Sequence, residues 1–369
     1  MVRSCLLIIS AAFAACSVQA LEVPVGTTNH SEGYLVISPY SNDNQLLVQG
    51  TLEATGLVVG DNCYDSVAIV AGGAVSVNKV YVGSSSRGCE LLVHNGGVLT
   101  ASAFSLYGDA TQGVAYPTLR NSVTVTGAGS LLNITDQLTV WSPDAPGEPG
   151  QFEEPREIPA YLRVSSGGEV RAGSLSVTNG SWVSVESGGT LTVESDLNAS
   201  EDNLYLHSGS SLTVGGTLSG LDVVGDGCMV EAGHVIGNLL VNGYFSMGSE
   251  DGVVDGDLML TDEGTLDIRA ASTLTVTGDM TLDGQLNVIF EEFEIPEYGD
   301  FVQLFEIQGS VSGAFDSVTP LAVDGLEWDT SELYTTGTLQ VIPEPSTLAL
   351  MGLSAGLVVM YRRATAHRS

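Results

Sequence analysis

Leu162-Arg163-Val164-Ser165-Ser166-Gly167-Gly168 recurs as Val183-Ser184-Val185-Glu186-Ser187-Gly188-Gly189, and again as Leu204-Tyr205-Leu206-His207-Ser208-Gly209-Ser210. Each copy starts 21 residues after the last. Apolar and polar residues alternate, the pattern breaks at glycine, and alternation resumes in Thr190-Leu191-Thr192-Val193 and Ser211-Leu212-Thr213-Val214. Alternation at period two is the signature of a strand with one buried face. Repetition at a fixed interval near 21 residues is the signature of stacked units, none of which can bury its apolar side alone. Stacking sets Val164 over Val185 over Leu206, and Leu191 over Leu212, as continuous apolar columns. Glycine at the corner allows a turn that a Cβ would obstruct. The expected fold is all-β: a single-stranded parallel β-helix, right-handed by the general preference of parallel crossovers.

Composition narrows the function. The chain has 369 residues, with 11 Lys+Arg against 44 Asp+Glu and a formal net charge of -33. Arg3, Arg362, Arg363 and Arg368 lie at the two ends, so the body is more acidic still. Such a body repels phosphate backbones, and no nucleic-acid partner is expected. A hydrophobic content of 43% is too high for a disordered chain. Length beyond one ordinary domain is natural in a solenoid, where each coil touches only its neighbours.

Cys5 and Cys16 fall in the leader, leaving Cys63, Cys89 and Cys228. No C-x-x-C pair is present, which argues against zinc and against a dense disulfide framework. Cys63 and Cys89 fall on adjacent repeat units. The sequence leaves open a bond between them in an oxidising compartment and a pair of separate thiols.

Residues 1–20 read as a signal peptide: Arg3, an apolar run, then Val18-Gln19-Ala20 with small residues placed for cleavage between Ala20 and Leu21. Repeats are expected over 21–289. In the first part Leu57-Val58-Val59-Gly60 matches Val80-Tyr81-Val82-Gly83 and, loosely, Ser105-Leu106-Tyr107-Gly108. Ile69-Val70-Ala71-Gly72-Gly73-Ala74-Val75 matches Val93-His94-Asn95-Gly96-Gly97-Val98-Leu99. Residues 142–159 carry Pro143, Pro146, Pro149, Pro155 and Pro159 among acidic residues, an expected loop insertion because proline cannot donate to a ladder. Later, Gly243-Tyr244-Phe245, Gly264-Thr265-Leu266 and Gly284-Gln285-Leu286 restore the beat. Residues 290–341 are more aromatic and lack Lys and Arg, the expected cap over the last coil.

These motifs resemble a family. The pattern of V-G, L-x-V-x-x-G-G-x-L and Val125-Thr126-Gly127-Ala128-Gly129-Ser130 is similar to the autotransporter-associated β-strand repeats of bacterial surface proteins, which implies fold and surface location but no single activity. The tail, residues 342–369, has three parts: Pro343-Glu344-Pro345, an apolar run over 347–361, and the basic cluster Arg362, Arg363 and Arg368. It resembles the PEP-CTERM sorting signal of bacteria that export proteins with extracellular polysaccharide. That resemblance implies an exosortase-type membrane protease as partner, transient inner-membrane insertion, and a destination at the cell surface or in the extracellular matrix. Basic residues after the run would hold it facing the cytoplasm. As a helix its 15 residues would span about 22 Å, against a hydrocarbon core of about 30 Å. This favours a temporary hold over a permanent anchor.

No catalytic, metal-ligating or cofactor-binding residues emerge from the sequence. His30, His94, His207, His234 and His367 are scattered. Gly352-Leu353-Ser354-Ala355-Gly356 has the spacing of a hydrolase elbow but sits in the apolar run, without the strand-turn-helix setting that motif needs. The expectation is a secreted, non-enzymatic structural or adhesin-like protein, with extracellular polysaccharide as the candidate ligand. The alternative is a polysaccharide lyase or hydrolase on the same scaffold, which would need carboxylates flanking a bond, or carboxylates beside an Arg. Arg163 and Arg171 flank one corner with no evident acidic cluster.

Overall fold

A computed structural model describes residues 21–37, 45–61, 66–84, 86, 88–108, 121–142, 160–178, 180–200, 203–248, 251–290, 296–297, 299–321 and 326–343. Among these there is no helix. The chain is all-β, and its long parallel sheets are compatible with a β-solenoid.

One rung shows the plan. Strand Tyr161–Ser165 is followed by a tight turn, and strand Glu169–Thr178 then bends midway into two arms. The next rung repeats this with Trp182–Val185, Thr190–Val193 and Leu197–Ala199, the bend having become a break. Every neighbouring pair is parallel and in register: Val164 with Val185, Val185 with Leu206, and Leu191 with Leu212. Among the described residues the first arm after the turn occurs thirteen times, at Thr28, Thr51, Ala74, Val98, Leu131, Glu169, Thr190, Ser211, Met229, Tyr244, Thr265, Gln285 and Ser317. Its inward positions form one column, including Leu52, Val75, Leu99, Leu132, Val170, Leu191, Leu212, Val230, Phe245, Leu266 and Leu286, all buried. Burying each such side chain stabilises the stack by about 1.5–3 kcal/mol before ordering costs. Where a bent strand pairs with two short ones the ladder network closes small loops. Even so, among the described residues Thr28–Ile37 at one end and Ser317–Leu321 at the other have neighbours on one side only, so the sheet is not a closed barrel.

The corner after the first strand is where glycine is required. Gly167, Gly188, Gly209 and Gly227 hold φ of +84°, +73°, +80° and +68°, in the left-handed region that side chains disfavour. Their amides form a ladder of their own: Gly167 N donates to Gly188 O, Gly188 N to Gly209 O, and Gly209 N to Gly227 O, each at 2.8 Å. The ladder runs straight through the place where the first face changes sheet, from Leu204–Leu206 to Val223–Val224.

Two matches read from the sequence are one residue out. Val80 pairs with Phe104, so the row opposite Val80-Tyr81-Val82 is Phe104-Ser105-Leu106. The expected slip would turn Ser105 inward, whereas burying Phe104 and Leu106 fixes the register. Likewise Val70 pairs with Val93 while Ala74 pairs with Val98. The extra residue is absorbed in the turn, where Asn95 takes φ of +52°.

Parallel pairing also continues past the expected boundary at 289: Phe305–Ile307, Val311–Gly313 and Ser317–Leu321 complete a further coil. The chain then adds an antiparallel sheet in which Thr338–Pro343 lies between Phe301–Gln303 and Leu326–Asp329. Leu304, Phe305, Leu333, Leu339 and Val341 are buried there, and Phe290 stacks on Trp328 at 5.0 Å.

Candidate functional site

The sorting motif begins at the last described strand, Thr338–Pro343. Pro343 closes the central antiparallel strand, in register with Leu326. Proline lacks an N–H, so it suits the end of a ladder rather than its middle. Glu344, Pro345, the apolar run over 347–361 and Arg362, Arg363 and Arg368 lie outside the described residues, as do the leader and Ala20. Leu21 opens the first strand, Leu21–Val23, so cleavage between Ala20 and Leu21 would leave the first rung at the new N-terminus. Among the described residues no helix is long and apolar enough to cross a membrane. Cys63 lies outside them too, and Cys89 and Cys228 are buried.

The polar groups singled out in the sequence are spread along the stack. Arg163 meets Glu186 on the next rung, and Arg171 meets Glu169 on its own strand. Both therefore have a carboxylate partner that sequence did not reveal, and the hydrogen bond raises each guanidinium pKa. These are two separate exposed pairs, not one cluster. An open groove near the last coils is lined by Asp251, Thr273, Thr275, Gln303 and Glu306. The Asp251 carboxylate already accepts the Thr273 amide at 2.8 Å. Among the described residues, no group of three or more His, Cys, Asp or Glu side chains is placed to hold a metal ion.

One buried carboxylate stands out. Asp267 points outward from its strand yet is 5% exposed. The Tyr244 hydroxyl donates to its Oδ2, and the Asn287 amide donates to Oδ1 at 2.8 Å. Burial and the Asp267 carboxylate push the Tyr244 hydroxyl well above the usual phenol range. A tyrosine so held keeps its proton, the opposite of what a general base needs.

An aromatic series crosses the outer side of the second arm. Tyr34 and Tyr81 stack at 6.5 Å between centroids, Tyr81 and Tyr107 at 6.4 Å, and Tyr107 meets the edge of Trp141 at 5.7 Å. The first step passes over a rung, because the Tyr34 ring covers Gly56, where a Cβ would come within 2.3 Å of it. Tyr34 is 47% exposed and the other three rings are half-buried. The sequence reading missed this series and the Tyr244–Asp267–Asn287 group. Both become visible only when outward positions are aligned by strand register.

Comparison with known proteins bears on the tail. The PEP-CTERM protein-sorting motif matches residues 341–364, from the last strand into the tail. This motif implies exosortase-dependent sorting to the cell envelope. No curated protein matches the chain.

Proposed function

We propose that this protein is a secreted, non-enzymatic surface element: a right-handed, single-stranded parallel β-helix that acts as a structural or adhesin-like rod in the cell surface or its polysaccharide matrix. Thirteen rungs at about 4.8 Å make a rod on the order of 60 Å. The observation that carries the reading is the junction at Val341–Pro343, where the sorting motif overlaps the last described strand. A membrane protease acting on the tail would release the rod as a unit. The apolar run then serves as a transient hold in the inner membrane, too short for a comfortable permanent span.

The outer surface supports a passive role. Tyr244 is held in its protonated state by burial and by Asp267, and Arg163 and Arg171 are each engaged by one carboxylate, Glu186 and Glu169. Replacing Pro343, Glu344 and Pro345 together by alanine tests the sorting step. The variant accumulates, uncleaved, in the inner-membrane fraction, while the parent reaches the surface. Equal surface yield from both would overturn the reading. Turnover of neutral or acidic glycans by the purified protein, lost on exchange of Asp251 or Glu306, would replace it with a glycan-active enzyme.

A further inference from the structure

The outward positions that carry the aromatic series hold no carboxylate over six rungs. Rung by rung, they are Tyr34 and Val36, Gly56 and Val58, Lys79 and Tyr81, then Ala103, Ser105 and Tyr107. Gln137, Thr139 and Trp141 follow, then Ser174, Ser176 and Thr178. In a chain with 44 acidic residues, not one of these described positions is acidic. The strip ends one rung beyond Thr178, where the exposed Asp196 takes the position of Ser174. The strip is also rigid, because each ring stands on a rung of a parallel ladder. Rings on such a ladder are ordered before a ligand arrives, which removes part of the entropic cost of binding.

We propose that the diagonal series Tyr34–Tyr81–Tyr107–Trp141 is a binding track for a neutral polysaccharide chain. This deepens the surface-rod reading and rests on it. Sugar rings present faces of C–H bonds that pack on aromatic rings, while their hydroxyls need donors and acceptors beside them. Ser105, Thr139 and Gln137 supply those groups around the rings. Ring-to-ring steps of 5.7–6.5 Å are comparable with the advance of an extended pyranose chain by one sugar. Charge selects the class: a net charge of -33 repels a uronate or sulfate polymer, while a strip free of carboxylates admits an uncharged one.

The alternative is that the rings serve only to brace neighbouring rungs. Native electrophoresis of the full exported chain through gels containing hydroxyethylcellulose, glucomannan or polygalacturonate separates the two. The track predicts retardation by at least one of the neutral polymers and none by polygalacturonate. Tyr81→Ala and Trp141→Ala weaken retention by roughly tenfold each, equivalent to about 1.4 kcal/mol. Trp141→Phe retains most of it, and Tyr205→Ala, an exposed ring on a different face, changes nothing. Tyr34→Ala, at the exposed end of the series, provides the same reading if Tyr81→Ala fails to fold. Free migration of the parent through both neutral polymers overturns the track, as does undiminished retention of the ring-deleted variants. Surface fractionation of the same strains separates this failure from failure of the rod reading: a protein that reaches the surface but ignores neutral glycans loses only the track.

Discussion

The Tyr244 hydroxyl donates a hydrogen bond to Asp267, a carboxylate on the next rung that is nearly removed from solvent although it projects from the outside of the sheet. The link ties two rungs together through side chains, beside the backbone ladder between Tyr244–Ser246 and Thr265–Arg269. Because the phenol pKa is raised in the folded state, the stabilisation is complete below the ordinary tyrosine pKa of about 10. It is lost as pH climbs from there through the raised value. Melting curves should show the parent losing stability above pH 10 more steeply than Tyr244→Phe, with the two converging in their slopes below pH 9.

The glycine pair at the corners separates two costs. Gly96 holds φ of +76° with no neighbour near its missing Cβ, so Gly96→Ala exposes only backbone strain, about 1–2 kcal/mol. At Gly97 a Cβ would sit 2.2 Å from the Val70 carbonyl oxygen. Gly97→Ala must push that carbonyl back and disturb the ladder, so its loss in chemical denaturation should exceed that of Gly96→Ala by about 1 kcal/mol.

The apolar columns respond to cavities. Leu191 is fully buried between Val170 and Leu212 on the adjoining rungs. Leu191→Ala should cost about 2–5 kcal/mol, and hydrogen exchange should speed up first in the rungs around 170–214, since each rung leans only on its neighbours. By contrast, Arg163→Ala removes a pair with Glu186 that is open to solvent, and should change stability by less than about 1 kcal/mol, less still at high salt.

The antiparallel sheet at the C-terminal end depends on the strand next to the sorting motif. Val341 is buried in it, opposite Trp328. Val341→Asp places an unpaired carboxylate there at a cost of several kcal/mol. Limited proteolysis should then cut within 299–343 while the rungs from Tyr161 to Val214 stay protected.

The sequence made the rungs legible where their length was constant. From Leu162 to Val214 the 21-residue step leaves one way to align the copies, and Val164, Val185 and Leu206 stack as that alignment requires. Register failed at Phe104 and at Val93, where an added corner residue such as Asn95 moves the strand but not the turn, so motif matching centred on glycine carries the error into the strand. The continuation of the coil through Phe305 was hidden because residues of the antiparallel sheet are interleaved between Ile289 and Phe305. The aromatic track was hidden for a related reason: Tyr34, Tyr81 and the Tyr107–Trp141 pair occupy three different columns on rungs of unequal length, and only the folded register brings them side by side. The tail was legible because its signal is local, Pro343-Glu344-Pro345 followed by an apolar run and arginines.

Mass spectrometry of the protein recovered from the cell surface tests the central claim most directly. Sorting through the tail predicts a mature chain that begins at Leu21 and ends near Pro343–Pro345. A surface form that still carries the apolar run and terminates at Ser369 would contradict it.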